Sequence, residues 1–187
     1  MANGPSAKKP KTAAAVAFCG VMSALSLLLL LLTAVPVTEI SLAALAGLTA
    51  VPVVIEVGRR FGLLQYAAVA VLALLLVPTM EGKALYIAFF GYYPVFKSFI
   101  EQRRLPRAAE WVLKLVVFNA ATVAAYLIML RFFGLDPQSF TIGGVPLPWV
   151  FLLLGNGVFV LYDWCMTRLI DLYLARFHAR VRRLFRF

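Results

Sequence analysis

The sequence predicts an all-α integral membrane protein: a bundle of six transmembrane helices with both termini cytoplasmic and a basic amphipathic tail. Three observations carry that expectation. Of 187 residues, 63% are hydrophobic and only 14% charged, more apolar surface than a soluble domain of this length can bury. The apolar residues fall into six runs, each near the roughly 20 residues needed to cross a hydrocarbon layer of about 30 Å. The basic residues concentrate in alternate connections between those runs, the pattern that sets orientation in a membrane.

Residues 1–11 form a basic segment with Lys8, Lys9 and Lys11. The first run, 12–34, belongs to an uncharged stretch from Thr12 to Thr38, too long for the apolar part of a cleaved signal peptide and therefore expected to stay as the first helix. Phe18 occupies the place before Cys19 where a lipoprotein signal needs a small residue, so lipidation is not expected. The second run, 38–57, follows Pro36, and the third, 61–79, follows Gly58-Arg59-Arg60. Pro78 precedes the fourth, 83–100, and Pro106 the fifth, 111–133. The sixth, 147–170, follows Gly143, Gly144 and Pro146; each break uses residues that interrupt helices. Residues 12–170 thus make one transmembrane domain, and 171–187 a separate tail.

Fourteen Lys and Arg residues lie on one side of this plan: Lys8, Lys9 and Lys11, Arg59 and Arg60, Arg103, Arg104 and Arg107, and six arginines from Arg168 onward. The other side holds only Lys83 and Arg131. Such a bias puts both ends inside and requires an even number of spans. In the tail, Ile170, Tyr173, Leu174, Phe177, Val181 and Leu184 recur at helical spacing against Arg176, Arg180 and Arg183, the pattern of a helix lying on the inner leaflet.

The net charge of +10 and isoelectric point near 10.1 have a topological cause and do not predict nucleic-acid binding, because basic surfaces interleaved with aromatic residues are missing. Membrane lipids are the expected partners of these charges. Cys19 and Cys165 fit neither a disulfide framework nor a zinc pattern, and the single histidine, His178, sits in the tail, so no metal or cofactor is expected. No Ser-His or Cys-His pair can be assembled within the apolar segments and HExxH is absent, so catalysis is not expected.

Four features suggest function. In the first run Ala13, Ala17, Gly20 and Ala24 share one face, suited either to a partner helix or to internal packing. In the fourth, Tyr86, Phe90, Tyr93 and Lys97 form a stripe, and Pro94 frees the Phe90 carbonyl and favours a kink. Asn119, Thr122 and Tyr126 in the fifth run, and Asn156 and Asp163 in the sixth, add polar faces that should meet inside the bundle, away from lipid. Lys97 and Asp163 lie about 14 and about 16 residues in from the outer side, on the order of 21 to 24 Å at 1.5 Å per residue, and this similar depth predicts a buried ion pair. Glu56 reads as an interfacial charge beside Arg59 and Arg60. Toward the outside, Glu39, Glu81, Lys83, Tyr86, Tyr126, Arg131 and Trp149 would rim a solute site leading to Asn119 and Asn156, and the turn-rich stretch from Gly134 to Pro148 reads as an outer loop.

The six-helix plan with both ends inside, the basic amino terminus, the Ala13-x-x-x-Ala17 spacing, Gly91-Tyr92-Tyr93-Pro94 through Glu101, and Tyr162-Asp163-Trp164 together resemble the substrate-binding S components of energy-coupling factor transporters of bacterial cell membranes. The resemblance implies that the alanine face of helix one meets a transmembrane coupling subunit working with two ATPases. It also implies a small solute, such as a vitamin or related micronutrient, held near the outer surface by Glu39 and the outer parts of helices four to six. A different class, membrane scaffolding subunits that resemble rod-shape-determining proteins, shares the helix-rich plan and the basic tail.

Overall fold

The computed structural model describes residues 12–35, 37–103, 106–133, 141–142 and 145–185. The basic segment 1–11, Pro36, Arg104, Gly143, Gly144 and most of the expected outer loop lie outside them. Apart from one two-residue antiparallel pair, Thr141–Ile142 with Val145–Pro146, the described chain is helical. All six apolar runs carry helix, though two are not continuous.

Helix α1, Thr12–Leu31, runs into a 3-10 turn, Leu32–Ala34. It packs on α2, Glu39–Leu48, and on α4, Arg59–Leu76, with the short α3, Ala50–Glu56, between them in sequence. The second run divides at Thr49 for a covalent reason: Pro52 has no N–H to donate to the Leu48 carbonyl. The polar groups at this break find partners instead. Thr49 and Ser26 donate hydroxyls to the Ala46 carbonyl at 2.7 and 3.0 Å, and Gln65 of α4 donates to Thr49 at 3.1 Å. At the start of α4, Gly58 takes φ +109°, a left-handed conformation in which an L side chain is strained.

The fourth run divides more deeply. Helix α5, Met80–Leu85, continues as a π-turn, Tyr86–Phe90, closed by Gly91 N–H donating to the Tyr86 carbonyl at 2.8 Å; α6, Tyr93–Glu101, starts afresh with Pro94 in its first turn. The kink expected at Pro94 is therefore spread over a π-turn and a break. Tyr66 of α4 donates to the Ile87 carbonyl at 2.8 Å, satisfying backbone that the irregular turn exposes. Gly47 of α2 lies against the backbone of Phe90, leaving no room for a Cβ.

Helices α7, Arg107–Phe133, and α8, Leu147–Arg176, complete the bundle, and α9, His178–Phe185, turns back beneath it. Among the described residues four stretches are long and apolar enough to cross a membrane: Thr12–Ala34, Glu39–Glu56, Arg59–Leu76 and Arg107–Ile128. Their outward faces carry side chains such as Leu28, Leu75, Val116 and Leu127. The core lies where α2, the π-turn, α6 and α8 meet, built from Ala43, Phe89, Phe90, Tyr93, Phe159, Tyr162 and Met166.

Close approach at Gly47 is needed for that core. Gly47→Val should lower stability in detergent by about 2 kcal/mol through overpacking and depress the melting temperature. Gly20→Ala, with nothing within 4 Å of the added carbon, should leave the melting temperature unchanged or slightly raised.

Candidate functional site

Two features share the core's aromatic wall: a cavity on one side and a cluster of buried charges on the other. The cavity, of about 590 Å³, lies among α2, α5, the π-turn, α7 and α8. Glu39, Glu81 and Tyr126 line it together with Thr122, and its deep wall is formed by Phe89, Phe118, Phe159 and Tyr162. The π-turn is what brings Phe89 and Phe90 to this wall. Phe118 stacks on Phe159 with ring centres 4.8 Å apart, and Phe89 meets both rings edge-on at 5.0 and 5.5 Å.

The other expected solute residues have different places. Lys83 donates its ammonium to the Val77 carbonyl at 3.1 Å and does not reach the cavity. Tyr86 is buried in the core, 6.1 Å from the Tyr66 ring. Asn119 and Asn156 are not part of the lining. Their amides exchange hydrogen bonds at 2.9 and 3.0 Å, and each also donates to the carbonyl four residues back on its own helix, Leu115 and Leu152. That closed pair fastens α7 to α8 and leaves the asparagines little capacity for solute. Arg131 and Trp149 are exposed and lie off the cavity.

Behind the aromatic wall, Tyr93 presents its ring to Phe89 and Phe159, at 4.7 and 5.4 Å, and its hydroxyl donates to Asp163 Oδ1 at 2.5 Å. The same oxygen accepts from Lys97 Nζ at 2.8 Å, so the two groups expected to pair from their depth stand in contact. Lys97 also reaches Glu101 Oε1 at 2.6 Å and Thr167 Oγ1 at 2.9 Å. Lys114 of α7 joins them, at 2.6 Å from Glu110, 3.2 Å from Glu101 and 3.3 Å from Asp163 Oδ2. Lys97, Lys114 and Asp163 are 1%, 2% and 4% exposed. Glu101 and Glu110, at the C-terminal end of α6 and in the first turn of α7, are less enclosed. Two ammonium groups thus face three carboxylates, with every cation neutralised, which is the condition for holding charge in a low-dielectric interior.

Lys114 was missed in the sequence, although it carried a signal: an ionisable residue inside an apolar run, four residues from Glu110. Glu56 also departs from expectation. Its side chain is only 1% exposed and accepts from Tyr173 at 2.9 Å, with His178 Nδ1 at 2.7 Å, so it is an internal anchor for the last helices rather than an interfacial charge. Burial and this carboxylate hold the Tyr173 phenol above its ordinary range. The tail is likewise more than a lipid-facing strip, since the Phe185 ring packs edge-on to Phe18 of α1 at 5.0 Å.

On α1, Ala13, Ala17, Gly20 and Ala24 are all exposed, while Ala15, Phe18, Ser26 and Leu30 face the bundle. Internal packing therefore does not use the small-residue face. Cys19 and Cys165 are free. Among the described residues no group of three or more His, Cys, Asp and Glu side chains is placed to hold a metal ion. No protein-family model, curated protein or solved structure matches the chain.

The cluster generates a thermodynamic prediction. Asp163→Asn should cost about 3 kcal/mol or more, because it leaves Lys97 and Lys114 competing for Glu101 and unties Tyr93. Lys97→Met with Asp163→Asn should cost less than the sum of the single losses, since Lys114 keeps Glu101 and Glu110 and no cation is stranded. Strictly additive losses in detergent unfolding would contradict the coupling.

Proposed function

We propose that this chain is a non-catalytic, substrate-binding subunit of an energy-coupling-factor-type transporter in a bacterial cell membrane, taking up a small solute. The observation that carries the reading is the cavity of about 590 Å³ at the ends of α2 and α5, within the size range of small-molecule sites. Six crossings, with both termini inside, fit the helical runs and the fourteen-to-two distribution of basic residues. In that orientation Glu39 and Glu81 stand at the outer end of the cavity, and Glu101, Glu110 and α9 at the inner surface. Lipids cover the apolar flanks of the bundle.

The uncovered small-residue face of α1 supports a coupling role. Ala13, Ala17, Gly20 and Ala24 present a smooth strip on which a helix of a coupling subunit can pack closely, and that subunit would carry the two ATPases.

Two measurements test this. Reporter fusions after His178 and after Arg104 should read cytoplasmic and one after Gln138 external; an external carboxyl terminus would overturn the topology. The tagged chain, purified from its native membrane, should bring with it one polytopic subunit and two ATPases, and Ala17→Trp should reduce their yield several-fold without reducing insertion. Recovery of wall-synthesis proteins in place of ATPases would favour the scaffolding class, and an unchanged yield with Ala17→Trp would remove the α1 face from the coupling account.

A further inference from the structure

We infer that the solute taken by the cavity is an organic cation with an apolar, preferably aromatic, body. The inference rests on reading the cavity as a solute site and adds the charge of what it accepts. Its walls are apolar and aromatic, with Phe89, Phe118, Phe159 and Tyr162 at depth, and among the described residues its only charged lining residues are Glu39 and Glu81. Among the described residues no Lys, Arg or His lines it. The nearest basic candidate in sequence, Lys83, is bonded to the Val77 carbonyl.

Glu56, Glu101, Glu110 and Asp163 all have hydrogen-bonded or ionic partners. Among the described residues Glu39 and Glu81, like the exposed Asp171 away from the cavity, have neither, and both border the cavity. An anionic solute would meet two like charges and, among the described residues, no compensating cation in the lining. A neutral polar solute would lose its water hydrogen bonds against a wall that offers few replacements, a cost of about 1–3 kcal/mol per unsatisfied group. A cation with an apolar body avoids both costs: its charge pairs with the carboxylates at the mouth, its body displaces water from the rings, and ring faces themselves attract positive charge. A volume of about 590 Å³ admits such a body.

Binding of radiolabelled tetraphenylphosphonium to the full chain in lipid nanodiscs tests the inference, with uncharged triphenylphosphine oxide and anionic tetraphenylborate as competitors. Glu39→Gln, Glu81→Gln and their double variant change only exposed or half-exposed side chains. Ala121→Trp and Ala125→Trp, each checked for an unchanged elution profile and helix content, fill the cavity from α7. The inference predicts saturable binding of the cation, roughly tenfold weaker in each single Gln variant and weaker still in the double, lost in the filled variants, and not displaced by the borate. Equal displacement by the neutral oxide, with affinity retained in the double Gln variant, would overturn the cationic class while leaving the cavity as a solute site. Absence of saturable cation binding, or binding that survives both filled variants, would overturn the inference and the cavity reading together.

Discussion

The structure depends on how α7 is held. Of the α7 residues whose burial is described, Lys114 alone is fully buried, and the apolar contacts of this helix with the core come from the partly buried Leu115, Phe118 and Ala121. In a membrane that would not suffice in any case, because lipid tails solvate leucine and valine as well as a neighbouring helix does, and association falls to packing and polar bonds. The contacts of α7 follow that rule: Lys114 to Glu101 and Asp163, the reciprocal Asn119–Asn156 amides, and the Phe118 ring stacked on Phe159. Asp163 is the common point, bonded at once to Lys97 of α6, Lys114 of α7 and Tyr93 of α6.

The same residues shape the cavity. Phe89, Phe159 and Tyr162 are its deep wall on one side and neighbours of the Tyr93 ring on the other. The wall exists because the fourth run is irregular: a π-turn gains one residue over a regular helical turn and redirects Phe89 and Phe90, while Gly47 lets α2 approach the Phe90 backbone closely. The cavity and the charges behind the wall are therefore separated by a single layer of rings, and the C-terminal end of α6 and the first turns of α7 are tied to that layer through Asp163.

Helix positions were legible because hydropathy over 20 residues reflects the solvent a segment requires, whereas the divisions at Thr49 and Gly91 reflect single residues, Pro52 and Pro94, acting on local hydrogen bonds. Lys97 and Asp163 could be matched by depth, since helical rise is constant. Lys114 required only the rule that an ionisable group in an apolar run needs a partner. Asn119 and Asn156 show the limit of that reasoning: a polar face read from spacing must meet something, but spacing does not say whether it is solute or another side chain. Glu56 was misread because its partners, Tyr173 and His178, are 117 and 122 residues away, brought near only by the turn into α9. The cavity lining was legible at Glu39, Glu81 and Tyr126, while Arg131 and Trp149, also expected at the rim, are exposed and lie off the cavity.

The most direct test of this account is the position of α7 when Asp163 can no longer bind both lysines. Spin labels on exposed Leu75 of α4 and Val123 of α7, measured by pulsed dipolar spectroscopy in nanodiscs, report that position without perturbing the cluster. The account predicts one narrow distance distribution in the otherwise native chain and a broadened, longer one with Asp163→Asn. An identical distribution in both would mean that α7 is held by something other than its buried charge.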